Sequence, residues 1–141
     1  MMRIVLDTNV LISGTFWSGA SFQVLRLVEK QKVHLVLSPE IIQEYQKILA
    51  CPEILDKTSR LQQARAKATA YLLGHAALVY PTIRLNVVSD PDDNKFIETA
   101  IEGKADFVVT QDKHLLKIGS YKRIKILTPL DFLKAFYSNF T

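Results

Sequence analysis

Short apolar runs alternate with longer amphipathic segments along the chain. The runs have the length and composition of strands and predict five of them, at residues 3–6, 34–37, 78–80, 107–110 and 124–127. The segments between them carry apolar residues at helical spacing and predict helices at about residues 22–30, 39–49, 59–73, 94–102 and 129–137. Strands alternating with helices are typical of βα units, so the pattern predicts an α/β fold with a parallel sheet.

Two of these helices have clear start signals. Ser38-Pro39 and Thr128-Pro129 each place a capping hydroxyl before a proline at the first helical position. The segment after the first strand is expected to be a loop, which includes Phe16 and Trp17.

The composition suits a globular enzyme or binding module. With 141 residues, 48% of them hydrophobic and 23% charged, the chain is expected to form one domain over residues 1–141. Cys51 is the only cysteine, which excludes an internal disulfide and makes a cysteine-based zinc site improbable. No apolar run approaches the roughly 18 residues of a membrane span, so we expect no membrane association and a cytoplasmic location.

The charge balance favours a polyanionic partner. The net charge is +4, and a basic stretch of Lys113, His114 and Lys117 is followed by further cations at residues 122, 123 and 125. This stretch could hold a phosphate backbone. A solvated helix and loop explain the same residues equally well.

Four acidic residues lie where an isolated carboxylate is costly. Asp7 directly follows the first strand and Asp112 follows the strand at 107–110, while Asp93 precedes a predicted helix. Parallel sheets bind ligands at the carboxyl ends of their strands, so Asp7 and Asp112 are expected on one rim. Taken singly, each aspartate could be a turn or capping residue. Together with Glu44, they suggest a site for bound cations, because converging carboxylates otherwise repel.

Glu44 is the least expected of the four acids. It follows helical spacing with Ile41 and Ile48, which places its carboxylate in line with core-facing side chains. The alternative is that Glu44 lies at the border of the apolar stripe and reaches water or pairs with a nearby cation.

The four acids fall within four segments that resemble the motifs of PIN-domain nucleases, in the order of that family. The first is Asp7-Thr8-Asn9-Val10, and the second spans residues 38–44. The third spans residues 90–100, and the fourth spans residues 110–116. A single motif of this kind is weak, but four in order within the predicted structural context are specific.

The resemblance implies a fold and a site. The fold is a PIN-like three-layer α/β/α sandwich with a central, mainly parallel sheet of about five strands. The implied acidic quartet, which serves both catalysis and metal binding, consists of Asp7, Glu44, Asp93 and Asp112. Two neutral residues, Asn9 and Thr110, are implied as polar supports of the site. Asp93 is preferred to Asp90 and Asp92, which are expected to form the turn around Pro91 or to contact the ligands from outside.

The resemblance also implies an activity. Oxygen-only ligands suit Mg²⁺ or Mn²⁺, and such ions support phosphodiester hydrolysis by water, which leaves a 5′-phosphate. The resemblance points to RNA as substrate, with Lys113, His114 and Lys117 as candidate contacts. Small single-domain PIN proteins are commonly toxins of toxin–antitoxin pairs and often homodimers, so an antitoxin partner and a homodimer are expected.

Two other classes of protein remain as alternatives. A non-catalytic PIN-like domain that binds nucleic acid or protein would also have this fold, although an intact quartet argues against it. A haloacid-dehalogenase-like phosphatase would require a second aspartate where Asn9 stands, and a receiver domain would require an acidic pair before its phosphorylated aspartate. The residues at the first strand therefore disfavour both the phosphatase and the receiver domain.

Overall fold

The protein has a six-stranded sheet with helices on both faces. The computed structural model describes residues 1–138, apart from the side chain of residue 55. The strands are β1 (Arg3–Leu6), β2 (His34–Leu37), β3 (Ala77–Leu78), β4 (Phe107–Val109), β5 (Ser120–Tyr121) and β6 (Ile124–Leu127). The helices are α1 (Thr8–Phe16), α2 (Ala20–Glu29), α3 (Pro39–Leu49), α4 (Pro52–Leu55), α5 (Arg60–Gly74), α6 (Asn94–Glu102), α7 (Lys113–Ile118) and α8 (Pro129–Ser138). A 3-10 turn (Pro91–Asp93) precedes α6.

The strand order is β3-β2-β1-β4-β6-β5, and β5 alone among the described strands is antiparallel to its neighbour. The connections from β1 to β2 and from β3 to β4 run in opposite directions across the sheet. Because such crossovers are right-handed, their helices lie on opposite faces. Accordingly, α6 packs on β1, β2 and β4, whereas α2 packs on α1 and α8. The predicted α/β fold with a mainly parallel sheet is confirmed.

The order of the strands reverses between β1 and β4. In open parallel sheets, the carboxyl ends of the two strands at such a point flank a crevice in which ligands bind. Both strands are buried, with Val5 and Val108 paired in register. The residues that follow these two strands therefore lie close together at this edge of the sheet.

The segment after β1 was predicted to be a loop, and that prediction is wrong. Residues Thr8–Phe16 form α1, which begins directly after Asp7 and includes Phe16, while Trp17 caps its end. This helix is buried around much of its circumference, so its residues show no amphipathic period. The third strand also differs, since β3 comprises Ala77–Leu78 rather than residues 78–80. The helices α4 and α7 and the short strand β5 were not predicted.

A segment at residues 79–90, which we call the strap, runs from β3 to the 3-10 turn without regular helix or strand. Polar side chains on α6 hold it in place. Asn94 Oδ1 accepts hydrogen bonds from the backbone N–H groups of Val87 and Val88, at 2.9 and 3.0 Å. Glu98 Oε2 accepts one from the Leu85 N–H at 2.8 Å. These bonds satisfy backbone groups that no strand partner serves, and they fix the approach of the chain to the 3-10 turn.

No helix in the described part of the chain is long and apolar enough to cross a membrane.

Candidate active site

Asp7 lies at the carboxyl end of β1, where the strand passes directly into α1. Its side chain is only 4% exposed. Thr110 Oγ1 donates a hydrogen bond to Asp7 Oδ2 at 2.6 Å, and the Asn9 backbone N–H donates one to Oδ1 at 3.1 Å. Burial raises the pKa of Asp7, the two hydrogen bonds oppose that shift, and the nearby carboxylates of Asp112 and Glu44 add to it.

Thr110 connects the acids of the two neighbouring strands. It follows β4, whose Val109 is paired with Leu6 of β1, and its side chain is fully buried. Its hydroxyl donates to Asp7 and accepts a hydrogen bond from the Asp112 N–H at 3.0 Å. Asp112 in turn caps α7, because its Oδ1 accepts a hydrogen bond from the His114 N–H at 2.7 Å. The register of β1 and β4 therefore brings Asp7 and Asp112 to one rim, as expected.

Asp93 closes the 3-10 turn at the start of α6 and joins the same group of acids. Desolvation raises its pKa to about 6, helped by the negative charges of Asp112, Asp90 and Asp7. A hydrogen bond with the Asp112 carboxyl group also favours the protonated form. Asp90 accepts a hydrogen bond from the Asp92 N–H at 3.0 Å, which is a turn-forming role, and Asp92 is exposed.

Glu44 extends from α3 beside the buried residues Ile41 and Tyr45. Its carboxylate forms an ion pair with Lys95 Nζ on α6. The Lys95 side chain is only 11% exposed, compared with 34% for Glu44. The alternative considered from the sequence, a glutamate at the stripe border that pairs with a cation, is therefore what the structure shows. Lys95 is a site residue that was not predicted, because a lysine in a first helical turn is normally solvated.

The remaining predicted site residues are exposed at the surface. The residues Lys113, His114 and Lys117 are exposed on α7. The His114 ring nitrogen Nδ1 is 3.9 Å from Asp112 Oδ1. Asn9 contacts Asp7 through its backbone N–H, and the residue itself is exposed.

Comparison with known proteins agrees with this geometry. A family model for the PIN domain matches residues 3–114, which includes all four acids. The chain belongs to the PIN-domain family. This PIN domain is 30% identical over 144 residues to an uncharacterized protein of Methanocaldococcus jannaschii, MJ1680, and the match covers 96% of this chain and 92% of that protein. The crystal structure of FitAcB from Neisseria gonorrhoeae is similar in fold, with a TM-score of 0.54 and 16% identity, covering 90% of this chain and 98% of the other.

The donor set of this PIN domain fits a hard divalent cation in its chemistry. Its ligand atoms would all be carboxylate oxygens, and the raised pKa values of Asp7 and Asp93 reflect first their burial and then repulsion by neighbouring acids, both of which a cation would offset. The described residues contain no three acids, histidines or cysteines already arranged as a metal cluster. The negative charges of neighbouring acids act on the pKa values of Asp7 and Asp93. To bind an ion together, however, the acidic side chains would have to move closer to one another.

Proposed function

We propose that this PIN domain is a metal-dependent ribonuclease that hydrolyses phosphodiester bonds. The observation that carries the proposal is the convergence of carboxylates at the ends of β1 and β4, where the negative charge of Asp112 contributes to the raised pKa values of both Asp7 and Asp93. An array of this kind is electrostatically unfavourable without a counter-ion, and the fold keeps it at the position where parallel sheets bind ligands. Mg²⁺ or Mn²⁺ is the cation that suits oxygen-only donors.

Asp7, Asp93 and Asp112 would hold the cation by carboxylate oxygens, and Glu44 is the fourth acid of the site, on α3. Once bound, the cation supplies a Lewis acid for the phosphate group and lowers the pKa of water. Thr110 keeps one Asp7 oxygen in a fixed direction, and the start of α6 holds Asp93 next to Asp112. Because water rather than the ribose 2′-hydroxyl would attack phosphorus, the products would carry a 5′-phosphate and a 3′-hydroxyl.

The exposed cations of α7 suit an incoming polyanion. The residues Lys113, His114 and Lys117 lie on the helix that Asp112 caps, so a phosphate backbone bound to them would pass near the acids. Their contribution would be mainly electrostatic, and it would weaken as salt concentration rises.

The test of the proposal is RNA cleavage by purified protein with Mg²⁺, Mn²⁺ or chelator. Asp93→Asn keeps the size of the side chain and removes its charge, whereas Asp92→Asn removes a charge from an exposed position in the same turn. We expect metal-dependent cleavage with 5′-phosphate ends that is lost in Asp93→Asn and retained in Asp92→Asn. Equal cleavage by wild type and Asp93→Asn would contradict the proposal and indicate a contaminating nuclease.

The second candidate is a non-catalytic PIN-like domain that binds nucleic acid or protein. It is favoured by one observation, namely that the described acids are not prearranged as a metal cluster. RNA binding without cleavage under either metal would support this second function instead.

We also propose that the protein acts as the toxin of a toxin–antitoxin pair, as a homodimer that an antitoxin inhibits. Membership of the PIN-domain family supports this setting. Induced expression of the wild type in a bacterial host should arrest growth, and Asp93→Asn should not. Light scattering of the purified protein would test the dimer.

A further inference from the structure

The ion pair between Lys95 and Glu44 is a charge interaction inside the acidic site. It joins α6 to α3 across 51 residues of sequence, and the lysine is more enclosed than the glutamate. The Lys95 ammonium also lies 5.2 Å from the centre of the Phe96 ring, so it is packed against an aromatic face on one side. Removing one partner of an enclosed ion pair leaves the other charge poorly solvated, so such a pair does not separate readily.

Within residues 1–138, no lysine or arginine forms an ion pair with Asp7, Asp93 or Asp112. The charges that act on Asp93 are those of Asp112, Asp90 and Asp7, all of them negative. Asp7 receives hydrogen bonds from a hydroxyl and a backbone amide, but it has no ion pair within the described residues. For Asp112, the one ion-pair candidate in the described part of the chain is the exposed His114 ring, at 3.9 Å. The acids are therefore unequal, because Glu44 already has a cation and the aspartates do not.

We infer that Lys95 is a positioning residue that keeps Glu44 out of the direct ligands of the metal, so that Asp7, Asp93 and Asp112 bind a single divalent cation. This inference rests on the proposed function. With one divalent cation and the Lys95 ammonium, the four carboxylates would retain a single net negative charge. A second divalent cation would have to displace Lys95 from Glu44, and the enclosed ammonium opposes that exchange.

The experiment measures Mn²⁺ binding directly, by electron paramagnetic resonance of free Mn²⁺ and by titration calorimetry, without using activity. Wild type should bind one ion. Glu44→Gln should change the affinity by less than about threefold, whereas Asp112→Asn should weaken it by about 30-fold or more, since a ligand is lost. Lys95→Met should release Glu44 and tighten binding by about tenfold, or allow a second ion to bind.

Double variants and conservative variants separate this role from a purely structural one. In the Lys95→Met background, Glu44→Gln should cancel the gain in affinity. Lys95→Arg keeps the positive charge and should behave as wild type. Lys47→Met removes an exposed lysine from α3, one turn from Glu44, and should leave Mn²⁺ binding unchanged.

Two results would overturn the inference, and they are distinguishable. If Glu44→Gln alone weakens Mn²⁺ binding as much as Asp112→Asn does, Glu44 is a direct ligand and the role of Lys95 is wrong, while the metal-dependent nuclease stands. If wild type binds no Mn²⁺, the proposed function fails as well. The Glu44→Gln comparison decides the question even if Lys95→Met does not fold.

Discussion

Replacing Thr110 with valine would remove a single hydroxyl group from the centre of the candidate site. That hydroxyl donates to Asp7 Oδ2 at 2.6 Å and accepts from the Asp112 N–H at 3.0 Å. Valine has nearly the same shape, and residue 110 is fully buried, so packing should change little. The substitution therefore reports on hydrogen bonding within the site.

The expected loss of stability follows from the two hydrogen bonds. A bond to a buried charged group contributes about 1.5 to 3 kcal/mol, and one between neutral groups contributes about 1 kcal/mol. We expect Thr110→Val to lower the free energy of unfolding by about 3 kcal/mol at a pH where Asp7 is ionised. The Thr110 bond lowers the pKa of Asp7, so its removal raises that pKa further. The loss should shrink as pH falls through the pKa of folded Asp7, because a neutral carboxyl accepts a weaker bond.

Urea denaturation of the metal-free protein, from about pH 8 down to about pH 4, would measure this effect. Thr110→Ser is the control, because it keeps the hydroxyl and loses only a methyl group, which should cost about 1 kcal/mol at every pH. A loss below about 0.5 kcal/mol for Thr110→Val at pH 8 would refute the reasoning, since that is the usual effect of a neutral surface change. An equal loss at both ends of the pH range would show that the bond does not depend on the charge of Asp7.

Three further predictions concern backbone approach, the strap and pH. A Cβ on Gly14 would lie 2.5 Å from a leucine methyl group of α2, so Gly14→Ala should lower the free energy of unfolding, measured with heat or urea, by about 1 to 3 kcal/mol. Gly74 has open space around it, so Gly74→Ala should leave stability unchanged. Equal effects of the two substitutions would contradict the close contact at Gly14. Asn94→Ala would remove the acceptor of two backbone N–H groups of the strap and should lower the free energy of unfolding by about 3 kcal/mol. As a control, Asn86→Ala at an exposed position of the strap should change that free energy very little. If Asn94→Ala is as stable as wild type, other contacts hold the strap. Because the pKa of Asp93 is raised to about 6 in the folded protein, ionisation of Asp93 opposes folding at neutral pH. Metal-free Asp93→Asn should therefore be more stable than wild type at pH 8, and the difference should vanish as pH falls below about 4. A variant less stable than wild type at pH 8 would exclude this electrostatic cost.

The sequence predicts most of the sheet because buried parallel strands are short, continuous apolar runs. The four-residue strands β1, β2 and β6 have the predicted bounds, as do α3 and α6. The failures have a physical cause. Helix α1 is buried on several sides and therefore lacks an amphipathic period, while β3 and β5 have two residues each, too few for a pattern to be recognised.

The candidate site was predictable as far as strand ends and motif spacing determine it. Asp7 and Asp112 follow paired strands, so their proximity follows from a parallel sheet alone. Lys95 could not be identified in this way, because its contact with Glu44 depends on how α6 lies against α3. Helix packing is a tertiary property, and a lysine near a helix start has the same local pattern whether it is solvated or enclosed.

The hydrogen bond between Thr110 and Asp7 joins residues that are 103 positions apart. During synthesis, β1 leaves the ribosome long before β4, its neighbour in the finished sheet, has been made. Asp7 therefore has neither its hydroxyl donor nor Asp112 beside it until most of the chain has been translated. Local contacts form early in folding, and pairing between distant strands comes at a larger entropic cost. The acids can thus come together only late in translation. A truncated chain that stops before β4 would lack Thr110 and Asp112 and could not form the site.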